Sequence, residues 1–77
     1  MAQNNLGSDK FMNKKLLRSK MALNEDNDRK LAEKLKLTRN TFSNKINSKT
    51  KFKVEEMLKI KEMYSLTDKE FVEIFIY

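Results

Sequence analysis

A chain of 77 residues makes one small domain with a thin core, because at this size folding buries only about 60% of the unfolded surface. Cysteine and histidine are both absent, so no disulfide framework, no thiolate or imidazole metal site and no common nucleophile–base pair is expected, and with them no enzyme, cofactor or metal. The net charge of +6 is segregated: residues 1–28 carry +1, residues 29–53 carry +8 and residues 54–77 carry −3. Such a one-sided field attracts a polyanion, for which nucleic acid is the first candidate. No apolar run approaches the roughly 20 residues that span a bilayer, and no signal-peptide core follows the N-terminus. The expectation is a soluble, cytoplasmic protein with no membrane partner and no evident small-molecule ligand.

In chain order, "MAQNNLGSDKF" is polar, holds the only glycine and shows no sustained period. Residues 1–12 are read as a flexible leader to a domain over 13–77. From Asn13 to about Leu23, Leu16, Leu17 and Met21 fall on one stripe, with Met12 a candidate addition and Lys14, Lys15, Arg18 and Lys20 elsewhere. This is a first helix. "NEDND" then offers Asn27 or Asp28 as cap for a second helix, about Asp28 to Leu35, whose Leu31, Ala32 and Leu35 share a face.

Thr38 follows almost at once as the cap of a third helix, with Phe42 and Ile46 as its inward pair. Two helices joined so closely must cross steeply, as in a helix-turn-helix or a simple αα-corner. The outward set of the third helix is expected to be Arg39, Asn40, Thr41, Ser43, Asn44 and Lys45, with no acid among them. A solvated face normally mixes signs. Arginine can bond guanine O6 and N7, and asparagine adenine N6 and N7, in a major groove wide enough for a helix. "NSKTKFK", residues 47–53, adds cations and small donors suited to phosphates, with Phe52 expected to anchor the loop in the core.

A fourth helix is expected from about Val54 to Tyr64, with Val54, Met57, Leu58 and the Lys61 stem on one stripe and Glu55 and Glu56 in its first turn. A fifth starts at Thr67, with Thr67 and Glu70 as a capping box, Leu66 stapled to Phe71, and Phe71, Ile74 and Phe75 inward. Val72, Ile76 and Tyr77 extend the apolar surface round that helix, either for packing inside the domain or as a dimer interface.

The run "NDRKLAEKLKLTRNTFSNKINSKTKF" resembles the helix-turn-helix of the phage Cro/repressor (XRE-type) family, especially small Cro-like regulators of Gram-positive phages. The family pattern is roughly a polar cap and Gln, two variable residues, Leu-Ala, two polar residues, Leu-Gly-Val, Ser-Arg-x-Thr-apolar-Ser, then Asn-Gly-Lys. Leu31, Ala32, Leu35, Leu37, Thr38, Arg39, Thr41, Phe42, Ser43, Asn47 and Lys49 match it. The resemblance implies a compact all-α, five-helix, lambda-repressor-like DNA-binding domain over about residues 13–75. Arg39, Asn40 and Asn44 would read bases, with Thr41 and Ser43 in support. Asn27, Asn47, Lys49 and Lys51, and the outward ammonium of Lys45, would meet phosphates.

Four positions depart from the pattern. Asp28 replaces the usual Gln and would repel phosphate unless it caps its helix or orients Arg29 or Arg39; Lys36 and Ser48 replace customary glycines; Asp26 stands at a usually apolar position. The first connection is therefore expected to be looser or differently routed. The implied function is a Cro-like phage or prophage repressor, binding a double-stranded operator as a homodimer. The alternative is an antitoxin or accessory protein that uses the same fold to hold a protein partner.

Overall fold

Every helix starts where an oxygen is at hand to take up a free backbone amide. The computed structural model describes residues 12–76, and among them all regular structure is helical: α1 (Lys14–Leu23), α2 (Asp28–Lys34), α3 (Arg39–Ile46), α4 (Val54–Met63) and α5 (Asp68–Phe75). Asn13 accepts from the Leu16 amide at 3.1 Å, Asn27 from Lys30 at 2.9 Å, and Thr38 from Thr41 at 3.1 Å. Before α4, the amide of Lys53 donates to the Glu56 carboxylate at 2.8 Å. Thr67 and Glu70 form the reciprocal box of α5, at 3.1 and 2.9 Å. Each cap satisfies one of the amides that a helix start leaves unpaired.

Helix ends follow one design as well. After α1, α2, α3 and α4 the chain enters the left-handed region at Glu25 (φ 58°), Lys36 (φ 60°), Ser48 (φ 61°) and Ser65 (φ 51°). Paired bonds close each end: Glu25 to Ala22 with Asp26 to Met21, Lys36 to Glu33 with Leu37 to Ala32, Ser48 to Lys45 with Lys49 to Asn44, and Ser65 to Glu62 with Leu66 to Lys61, amide to carbonyl. These are four Schellman closures, in which two terminal carbonyls find partners. After α1, α2 and α4 the very next residue beyond the closure is the following cap, Asn27, Thr38 or Thr67. No room remains for a flexible loop, so each crossing is rigidly set.

None of these left-handed positions is a glycine, and a side chain there costs about 1–2 kcal/mol. Lys36→Gly is expected to raise stability by up to about 1 kcal/mol, since glycine's greater unfolded-state entropy offsets part of the relief. Thermal and urea melts should show a higher midpoint; an unchanged or lower one would mean that Lys36 is held without strain.

The Asn24–Asn27 joint shows how the departure at Asp26 is accommodated. Leu37 and Leu66 occupy the same place in their joints and pack inward, whereas Asp26 buries a carboxylate whose side chain is 1% exposed. Its oxygens accept from the Tyr64 hydroxyl at 2.6 Å and from Lys34 Nζ at 2.8 Å. The first connection is therefore neither looser nor rerouted. A long-range polar lock replaces the apolar staple.

The core gathers Met12, Leu17, Met21, Leu31, Ala32, Leu35, Phe42, Ile46, Phe52, Ile60, Tyr64, Leu66, Ile74 and Phe75. Phe52 carries the 47–53 loop into it: its ring meets Phe42 edge-on at 6.1 Å and Phe75 at 6.0 Å. The Asn13 amide donates to the Ile74 carbonyl at 2.8 Å, and Lys20 pairs with Glu70 at 2.6 Å, so α1 is tied to α5. Met12, read from the sequence as the end of the leader, is 2% exposed and belongs to this core. The rest of the expected leader, residues 1–11, lies outside the described residues, as does Tyr77.

Candidate nucleic-acid interface

On α3, the core contacts of Phe42 and Ile46 determine what is left facing outward. Asn40, Ser43, Asn44 and Asn47 recur at i, i+3, i+4 and i+7, which puts them on one face of the helical repeat. Arg39, Asn40 and Ser43 are exposed, and Asn44 is half-buried. Arg39, Asn40 and Asn44 keep their side-chain donors free of other described residues, which leaves them available to base edges. Thr41 sits at the rim: it is half-buried, and its hydroxyl receives a bond from Thr38 at 2.9 Å.

Lys45 does not belong to that face. It is 7% exposed and its ammonium pairs with Glu56 at 2.6 Å, both side chains being nearly enclosed. Three residues after Phe42, it falls on the buried side of the helix, the spacing at which side chains are neighbours. A phosphate contact would require Lys45 to abandon a desolvated partner, so its expected phosphate role is corrected to a structural one. Glu56, expected only to favour the start of α4, also accepts from the Lys53 amide with the same oxygen. The pair thus ties α3 to the beginning of α4.

Asn47 lies on the outward face, but with its amide group already engaged. Its carbonyl oxygen accepts from Lys14 Nζ at 2.6 Å and its nitrogen donates to Ser43 at 3.3 Å. Lys14 comes from α1, thirty-three residues away, and nothing local in the sequence announces the meeting. Lys49 and Lys51 are exposed on the loop after α3. Asn27 is exposed and spends its side-chain oxygen on its own helix start.

Asp28 neither caps α2 nor orients Arg29 or Arg39. Arg18 of α1 grips it with two bonds, Nη1 to Oδ1 at 3.0 Å and Nη2 to Oδ2 at 3.2 Å. Arg18, Asp28, Arg29 and Arg39 line one open depression of about 640 Å³, where α1, α2 and α3 meet. Val72 of α5 and Ile76 at its C-cap stand 51% and 62% exposed, and Val54 and Leu58 are likewise exposed on α4. No helix among the described residues is long and apolar enough to cross a membrane.

Comparison with family models, with curated proteins and with solved structures returned no match. The functional reading therefore rests on the residues themselves.

Proposed function

We propose that this chain is a sequence-specific double-stranded-DNA-binding transcriptional regulator of the Cro-like kind, acting in the bacterial cytoplasm. Its third helix would enter the major groove of an operator. The observation that carries this reading is the acid-free face of α3, where Arg39, Asn40, Ser43 and Asn44 face outward from a helix seated by Phe42 and Ile46. A groove-reading helix needs directed donors and acceptors on a rigid support, and both are present. Lys49 and Lys51, on the adjoining loop, would meet phosphates and fix the register.

A single helix of eight residues reads few base pairs, so operator recognition calls for two copies on half-sites about one helical turn apart. The exposed Val72 of α5 and Ile76 at its C-cap offer the apolar surface for such a homodimer. Repression would follow from occlusion of polymerase at the occupied operator.

The test is selection from random duplexes with the purified chain, repeated with Arg39→Ala and Asn40→Ala. A palindromic consensus is expected from the parent, with each variant relaxed at its own base positions and weakened by about 1–3 kcal/mol per lost bidentate contact. Affinity should fall steeply as salt rises, because bound cations release counterions from the duplex. Binding indifferent to duplex sequence and unchanged in both variants would overturn the reading.

A further inference from the structure

Within the depression at the junction of α1, α2 and α3, charge is arranged unevenly. Three guanidiniums line it, those of Arg18, Arg29 and Arg39, against two carboxylates, Asp26 and Asp28. Asp26 is buried and held by Tyr64 and Lys34. Asp28 is the carboxylate that reaches solvent, with its side chain 41% exposed, and both of its oxygens are occupied by Arg18. Arg29 and Arg39 are exposed and have no ion-pair partner among the described residues. A negative charge at Asp28 would line the same depression as Arg39, the foremost candidate for base contact.

We propose that Arg18 is a positioning residue for the DNA interface, acting through Asp28: its bidentate grip turns and neutralises the exposed carboxylate that would otherwise repel the approaching phosphate backbone. The pair carries no net charge, leaving Arg29 and Arg39 to set the local field. An exposed pair of this kind adds little to folding stability, so its effect falls on binding. The inference rests on the DNA-binding reading above and adds a role for a residue of the first helix.

Duplex affinity at fixed low salt, measured for the parent, Arg18→Ala, Asp28→Asn and the double variant, tests it, with circular dichroism melts to show that all four are folded. Arg18→Ala exposes the carboxylate and is expected to weaken binding by about five- to tenfold, the scale of one unit charge acting at partly solvated range. Asp28→Asn should tighten binding, and the double variant should return to near the parent, since it restores a neutral site. Weaker or unchanged binding by Asp28→Asn would overturn the proposal, because a purely structural pair loses function from either side. A double variant far weaker than the parent would also overturn it, by showing that Arg18 itself grips phosphate. If the parent binds no duplex at all, the regulatory reading has failed. If it binds and the two single variants do not move in opposite directions, only the role of Arg18 has failed.

Discussion

Phe42→Ala is expected to destabilise the domain by about 3–5 kcal/mol, the usual cost of removing a large aromatic side chain from a packed core. Phe42 is 1% exposed, and its ring begins an edge-on series through Phe52 to Phe75, which leans on Phe71 at 5.4 Å. The series joins α3, the basic loop and α5, so truncation opens a cavity at the place where three segments meet. A domain this small has a total stability of only about 4–12 kcal/mol. The variant should therefore be largely unfolded at physiological temperature, or melt tens of degrees lower, by far-ultraviolet circular dichroism. A cooperative melt within a few degrees of the parent would show that the aromatic series is not the structural centre of the fold.

The second large effect concerns the lock of Asp26 and Tyr64. Tyr64→Phe removes the hydroxyl that donates to Asp26 at 2.6 Å and leaves an enclosed carboxylate with Lys34 as its remaining side-chain donor; the expected loss is about 1–3 kcal/mol. Adding Asp26→Leu should reverse it, because a buried polar pair replaced by apolar groups of similar size is often neutral or stabilising. The double variant would then carry at this joint the residue type that Leu37 and Leu66 supply at theirs. A double variant less stable than Tyr64→Phe alone would refute that equivalence.

The same lock gives stability a pH dependence on both sides. Burial pushes the Asp26 carboxyl up, but the bonds from Lys34 and Tyr64 outweigh it and hold the carboxyl below its ordinary value of 3.8. The folded state therefore releases that proton more readily than the unfolded chain, so the stabilisation is complete above about pH 4 and is lost as pH falls through the lowered value. Burial, reinforced by the adjacent Asp26, pushes the Tyr64 phenol above its ordinary 10.0. Its folded state keeps a proton that the unfolded chain gives up, so stability also declines as pH rises past about 10. Urea midpoints measured from pH 2 to 11 should trace both declines, and Tyr64→Phe should remove the alkaline contribution of this group.

Much of the local structure was legible in the sequence because it depends on near neighbours. Asn27, Thr38 and the Thr67–Glu70 pair declare helix starts through side-chain oxygens placed within one turn of free amides, and the apolar spacing of Leu31, Ala32 and Leu35, or of Phe42 and Ile46, declares which face turns inward. Lys36 could be singled out only through the resemblance, as the residue standing where the family pattern has a glycine; the backbone there is left-handed at φ 60°. The outward Arg39 and Asn40 followed from the same periodicity.

What the linear chain does not contain is the identity of partners brought from afar. Lys45 looks like an outward cation until Glu56, eleven residues on, closes over it at 2.6 Å; Asp28 looks like a cap or a repulsive charge until Arg18 of α1 takes both of its oxygens. Asp26 reads as a misplaced acid until Tyr64 arrives from the end of α4, thirty-eight residues later. Periodicity and capping are short-range and survive in sequence alone. The pairing of charges is decided by which helix ends meet in space, and only the packed fold determines which cations on this surface remain free for a partner.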